Sequence, residues 1–373
     1  MTLTGQDDLV DDGNVAVLIT VSAASSSDPV YDGLAPSANV TVSNNDDDDA
    51  RIRMVSSGSS TSEAGPGLVT VRFSLGSMPT ADVSVSFASS NEDEGTLSTN
   101  SVSWTQLTWN EVRTVTVTGG DDDVDDGDVA YTIDIDPAVS TDPKYSGRAP
   151  VGGLTLPLTN IDDETAAITV SALSPTSALA EGGAAGTFTV VLESEPLVDV
   201  VIDITSMFPT EAGVDKAALT FTDLDWSTPQ VVTVTPGDDD VDDDDQSFVI
   251  HVAAASAVGD PKYDGLAPSS NVSVVTQDDD TAGIKLTRGA SQTTEAGGTV
   301  TFTVELLSEP VDDVSIDMTS SAELTEGSLS TGTVSWTPMT WDEVRTVTVT
   351  GLDDDVVCGA GFSLWGGGDL GGG

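Results

Sequence analysis

The chain has 373 residues and sets 63 Asp plus Glu against 11 Lys plus Arg, a net charge of -52. Such a field repels nucleic acid and anionic membranes and favours cationic partners. A single cysteine, Cys358, excludes an internal disulfide framework and a cysteine zinc site, and no apolar run approaches the ~18 residues of a membrane span, so any export signal or anchor is expected outside this polypeptide.

In chain order, residues 1–49 hold an acidic run (Asp7, Asp8, Asp11, Asp12), a Val-rich stretch, DPVYDG from Asp28 and a second acidic run, NNDDDD, at 44–49. The same series returns later in longer form. TSEAGPGLVTVRFSL, with Glu63, recurs as LAEGGAAGTFTVVLES with Glu181 and TTEAGGTVTFTVELLS with Glu295, a period of about 115 residues. Trp109, Trp226 and Trp341 keep that period, as do the acidic runs starting at Asp121, Asp238 and Asp353 and the DPxYxG loops at Asp28, Asp142 and Asp260. The repeat predicts a remnant of a unit at 1–49, complete units at 50–163 and 164–280, and a truncated unit at 281–355. Residues 356–373, a glycine-rich tail ending GGGDLGGG, leave the pattern and are expected not to fold; both ends of the chain are read as cutting through a unit.

Within the first complete unit the apolar period is two, which predicts strands with one buried face. Val69, Val71, Phe73 and Leu75 alternate with polar residues, and Val83, Val85 and Phe87 form the next strand. Strands are expected at about 51–55, 68–76, 82–88, 101–105, 112–118, 129–136 and 154–160, with EGTLS (94–98) the place where an extra strand would change the count. In the later units Val200, Ile202 and Ile204, then Val314, Ile316 and Met318, repeat the pattern, and no helical 3.6-residue period is found. The predicted fold class is all-β: tandem immunoglobulin-like seven-stranded antiparallel sandwiches, joined head to tail because seven is odd.

Antiparallel strands run up and down, so alternate loops share an end. Counting from Glu63, one end collects Glu63, Glu92 to Glu94, Asp121 to Asp128, and Asp162 with Asp163. The other end holds SMPTAD, QLTWN and DPKYSGRAP, with Lys144 and Arg148. Carboxylates this close either share protons or surround a cation. An all-oxygen site suits calcium, with six to eight flexible ligands, better than magnesium; zinc would want the His or Cys that only His251 and Cys358 offer. The loop is no EF-hand: counted from Asp121, its sixth residue is Asp126 instead of Gly and its twelfth is Thr132 instead of Glu. A solvated acidic loop, or the surface of a salt-adapted protein, is the competing reading; against the latter, residues 64–91 hold one acid, Asp82.

SEAG before a strand, TVTVTGGDDDVDDGD at the end of a later one, and LTNIDDE closing the unit resemble the Calx-beta domain of sodium/calcium exchangers, integrin beta-4 and bacterial surface proteins. The resemblance implies calcium ligands at Glu63, Asp121, Asp122, Asp125, Asp126, Asp162 and Asp163 in the first complete unit. In the second it implies Glu181, Asp238, Asp239, Asp242, Asp243, Asp278 and Asp279, and in the truncated unit Glu295, Asp353 and Asp354. The chain departs from the family where Glu-rich residues would follow the Asp run, and in its DPxYxG loop.

The reading that follows is a calcium-binding segment of an extracellular or cell-surface protein, a stalk or adhesive module that acts with calcium ions and with other surface proteins or glycans. Calcium-sensing regulatory domains of a transporter or receptor, and a carbohydrate-binding or hydrolysing module, are the alternatives. With one His and one Cys there is no repeated nucleophile and base, and no enzyme is predicted. Trp104, Trp109, Trp226, Trp336 and Trp341 are read as packing anchors in preference to a sugar platform.

Overall fold

Val69, Val71, Phe73 and Leu75 are buried, while Arg72 between them faces outward, the outcome of a period of two on a strand with one wet face. The computed structural model describes residues 2–65, 67–175, 177–321 and 326–353. Among these the regular elements are all strands. The hairpin β1 (Val15–Ile19) and β2 (Val40–Asn44) comes first. A sandwich follows, made of β3 (Ile52–Ser56), β4 (Ser60–Ser62), β5 (Leu68–Leu75), β6 (Val83–Ser89), β7 (Gly95–Leu97), β8 (Ser101–Trp104), β9 (Arg113–Gly119), β10 (Val129–Ile135), β11 (Val139–Ser140) and β12 (Thr155–Ile161). The next contains β13 (Ile168–Val170), β14 (Ala178–Ala180), β15 (Gly186–Leu192), β16 (Val200–Ser206), β17 (Ala212–Val214), β18 (Ala218–Phe221), β19 (Gln230–Pro236), β20 (Gln246–Val252) and β21 (Val272–Gln277). The last strands are β22 (Ile284–Arg288), β23 (Thr299–Leu306), β24 (Val314–Asp317), β25 (Gly327–Leu329), β26 (Thr333–Trp336) and β27 (Arg345–Gly351). The glycine-rich tail lies outside the described residues.

The chain divides into two compact units, Met1–Ala166 and Ala167–Gly373. In the first, one sheet runs β3-β5-β9-β7 and the other β11-β6-β10-β12-β4, with β8 also on β6. Their inner faces share one core, in which Phe73 of one sheet stacks on Phe87 of the other at 5.6 Å between ring centroids and Trp104 is fully buried. In the second unit the orders are β13-β15-β19-β17 and β14-β21-β20-β16-β18, followed by β22-β23-β27-β25 and the two-stranded β24-β26.

All seven expected strands of the first sandwich are present, each with ends within one residue of expectation. Three short strands join them. β7 falls on EGTLS and pairs antiparallel with β9, while β8 pairs antiparallel with β6 in the opposite sheet. Strand directions make β7 and β8 consecutive pieces of one pass that changes sheets, and β3 with β4 is another, since β4 lies parallel to β12. Ten strands are therefore seven passes, and the parity of the loops survives.

The DPxYxG loop locks the end opposite the acids. Tyr145 is buried; its hydroxyl accepts from Ser77 N at 3.1 Å and donates to Ser77 O at 2.7 Å. The Asp142 carboxylate accepts from Thr80 N at 2.7 Å and Lys144 N at 2.8 Å, and these donors hold its pKa down against the opposing effect of burial. Tyr263 on Ser194 and Asp260 on Leu197 N repeat the arrangement in the next sandwich.

Candidate metal centre

The turn after β4 carries Glu63, which β4 draws to the last strand: β12 pairs with β4 along Ser60–Ser62, and Glu63 N donates to Ile161 O at 3.1 Å. Its neighbour on the adjoining strand is Asn160, whose amide donates to Glu63 Oε1 at 2.9 Å, to Gly120 O at 2.9 Å and to Glu94 Oε2 at 3.3 Å. One buried amide thus ties the three acidic stretches together. Glycine is required where they meet: a Cβ on Gly120 would overlap the Asp93 carbonyl oxygen, and Gly120 N donates to Glu94 O at 3.1 Å.

Glu63 is buried, its Oε2 has no hydrogen-bond partner, and one oxygen from each of Glu63, Asp162 and Glu164 lies within 4.8 Å of the other two. Burial, then the charges of Asp122, Asp162, Asp126 and Glu164, push the Glu63 carboxyl up to about 8. The second unit repeats this with Glu181, Asp278 and Asp280. Glu181 Oε2 is also without a partner, and burial with Asp239, Glu211, Asp278 and Asp243 pushes that carboxyl up to about 7. A buried carboxylate that faces other carboxylates, with a lone pair unused, asks for a proton or a cation. The residues fit calcium: every donor is oxygen, and the separation is one that a cation with bonds of ~2.4 Å can bridge.

The remaining expected residues divide by role. Asp122, Asp126, Asp239 and Asp243 supply the field on the two buried glutamates. Asp125 accepts from Ala166 N at 2.8 Å and Asp242 from Ala282 N at 2.6 Å, so each fixes the chain as it leaves the sandwich. Asp121, Asp163, Asp238 and Asp279 are exposed and outside the two grouped sets. Asp162 accepts from Gly127 N at 2.6 Å, and Asp278 from Asp243 N at 3.1 Å and Asp244 N at 2.9 Å, which staples the Asp run to the closing run. Glu295 and Asp353 are exposed and belong to neither set, and Asp354 lies outside the described residues.

Four residues outside the expected ligand sets belong here, one of which, Glu94, loop parity already puts at this end. Glu164 and Asp280 sit two positions beyond Asp162 and Asp278, so on an extended segment they share a side with them, and Asp163 and Asp279 face away. Glu94 and Glu211 are buried at the starts of β7 and β17, and Glu211 Oε2 accepts from Thr276 Oγ1 at 2.8 Å, where Thr276 stands in the place of Asn160. Burial pushes Glu94 up. The recurrence of a Glu one residue before each of those strands was the available signal.

In the first unit the hairpin's own acidic loop meets the next sandwich. Asp11 accepts from Ala50 N at 2.9 Å and pairs with Lys144, and Met78 N donates to Leu9 O at 2.7 Å.

No protein-family model matches the chain, and no curated protein matches it. Among solved structures, it is similar to the calcium-binding domain CBD12 of CALX1.1 at 15% identity and a TM-score of 0.28, over 58% of this chain and 83% of that one. It is similar to invasin, a bacterial integrin-binding protein, at 15% identity and a TM-score of 0.31, over 82% of this chain and 55% of that one. For the Yersinia pseudotuberculosis adhesin InvE the values are 15% and 0.23, over 68% and 67%.

Proposed function

We propose that the acidic ends of the two complete sandwiches are calcium sites, and that the chain is a non-catalytic segment of an extracellular or cell-surface protein whose inter-sandwich joints calcium stiffens. The observation that carries this is Glu63 and its twin Glu181, each buried with one oxygen unpartnered and each grouped with two more carboxylates. A solvated acidic loop gives no reason to bury a glutamate among like charges. Asp162, Glu164, Asp122 and Asp126 would complete the first site, and Asp278, Asp280, Asp239 and Asp243 the second, with Glu94 and Glu211 behind them. Glu164 and the Asp125 contact to Ala166 N lie on the outgoing chain, so an ion bound there ties that segment to the sandwich.

Calorimetric calcium titration of the 373-residue chain tests the reading against the Glu63→Gln/Glu181→Gln variant. A structural extracellular module is expected to bind at ~10⁻⁴ to 10⁻³ M, and a sensor at ~10⁻⁷ to 10⁻⁵ M. Absence of binding heat at millimolar calcium, or unchanged binding in the double variant, would overturn the assignment.

A further inference from the structure

The two complete sandwiches hold their buried glutamates differently. Backbone placement is shared: Glu63 N donates to Ile161 O and Glu181 N to Gln277 O, each at 3.1 Å. What lies behind the side chains is not. In the first sandwich the Asn160 amide is gripped from both ends. Its Oδ1 accepts from Thr61 Oγ1 at 2.9 Å, the same Thr61 oxygen accepts from the Tyr131 hydroxyl at 3.0 Å, and Nδ2 donates to Glu63, Gly120 and Glu94. Gly119 makes room for this, since a Cβ there would overlap Asn160 Oδ1. The hairpin carries the same pairing of residues: Asn44 Nδ2 donates to Gln6 O at 3.0 Å, and a Cβ on Gly5 would overlap Asn44 Oδ1.

In the second sandwich all four positions change together. Leu179 stands opposite Thr276 as Thr61 stands opposite Asn160, and Phe248 and Pro236 take the places of Tyr131 and Gly119. Leu179 and Phe248 offer nothing to orient a side-chain amide, and Pro236 brings the Cβ that Gly119 omits. Thr276 has one hydroxyl proton, which goes to Glu211 Oε2 at 2.8 Å and leaves none there for Glu181. In the first sandwich, by contrast, Glu63 Oε1 is spent on Asn160 while Oε2 is left over. That carboxylate is fixed before an ion arrives, so binding does not have to freeze it.

We propose that Asn160 is a positioning residue for calcium, and that the hydrogen-bonded series Tyr131, Thr61, Asn160 makes the first site the tighter of the two, so that the sandwiches fill in order as calcium rises. This rests on the calcium reading above and adds which site fills first and why. Asn160 does not touch the ion; it acts through Glu63, as residues that orient a metal ligand do. The second sandwich keeps the same carboxylates without the tether, and its site takes calcium at the higher concentration.

Calorimetric calcium titration of the full 373-residue chain tests this at about pH 8.5, above the values that Glu63 and Glu181 reach, so that protons compete little at either site. Glu181→Gln leaves the first site to be read and Glu63→Gln the second; the first is expected to bind at least about 10-fold tighter. Added to Glu181→Gln, Asn160→Thr should weaken binding about 10- to 100-fold, the range for loss of a residue that orients a ligand. The reverse graft, Leu179→Thr/Pro236→Gly/Phe248→Tyr/Thr276→Asn on Glu63→Gln, should tighten the second site. An Asn160 that serves folding alone would lower the melting temperature in chelator and leave the calcium affinity of the folded chain unchanged. That result, or equal affinities at the two sites, overturns the proposal and leaves the calcium reading standing; binding heat from neither site overturns both. Should a substituted chain fail to fold, the comparison of the two sites decides alone.

Discussion

Asn160 donates to Glu63 Oε1 at 2.9 Å, joining the last strand of the first sandwich to a turn 97 residues earlier. The same amide reaches Glu94 and the Gly120 carbonyl, so one side chain sets the spacing of the acidic stretches. In the second sandwich Thr276 holds that place with a single bond to Glu211 at 2.8 Å.

Asn160→Ala is therefore expected to destabilise the calcium-free chain by about 2–4 kcal/mol, because it leaves buried acceptors unpaired and opens a small cavity. Thr276→Val, which removes one bond and keeps the shape, should cost about 1–2 kcal/mol. Urea unfolding in chelator measures both; equal and negligible effects would remove Asn160 from this role.

Stability without calcium should fall as pH rises. The folded carboxyl of Glu63 titrates near 8 against an ordinary glutamate value of 4.5, so between those values the folded chain holds a proton that the unfolded chain has lost. The stabilisation is complete below about 4.5 and is lost as pH climbs through about 8; for Glu181 the upper limit is about 7. Melting temperatures in chelator from about pH 5 to pH 8 should show the decline, and Glu63→Gln/Glu181→Gln should flatten it. Saturating calcium should flatten it too, since the ion takes the proton's place.

The Tyr145→Phe and Tyr263→Phe variants test the lock at the opposite end. Each removes a buried hydroxyl that satisfies both the N–H and the carbonyl of a serine, Ser77 or Ser194. The expected loss is about 1.5–3 kcal/mol per site by urea unfolding. Calcium affinity should stay unchanged, because these residues lie at the end of the sandwich away from the acids.

Asp244 has φ of 65°, a left-handed conformation that Gly127 supplies in the equivalent loop with φ of 78°. Asp244→Gly should relieve that cost and one like charge, and raise stability in chelator by up to about 1 kcal/mol. A loss of stability would mean that the Asp244 carboxylate does more than its backbone.

The strand pattern was legible because the period of two is a local property: Val69, Val71, Phe73 and Leu75 declare their inner face wherever the strand ends up. Loop parity followed from it and put Glu63, Glu94, Gly120 and Asp162 at one end, where Asn160 and Gly127 now join them. Sequence alone could not tell which carboxylates turn inward. Asp163 and Glu164 are adjacent and equally acidic, and the extended path of the closing segment sends Glu164 toward Glu63 while Asp163 meets solvent. Nor could it separate Asp125, drawn to a backbone N–H, from Asp126, whose charge bears on Glu63. Repeat, strand and end are written in spacing along the chain. The selection of a few acids from many depends on which backbone groups and which neighbouring charges folding brings within a few ångströms, and only the tertiary structure decides that.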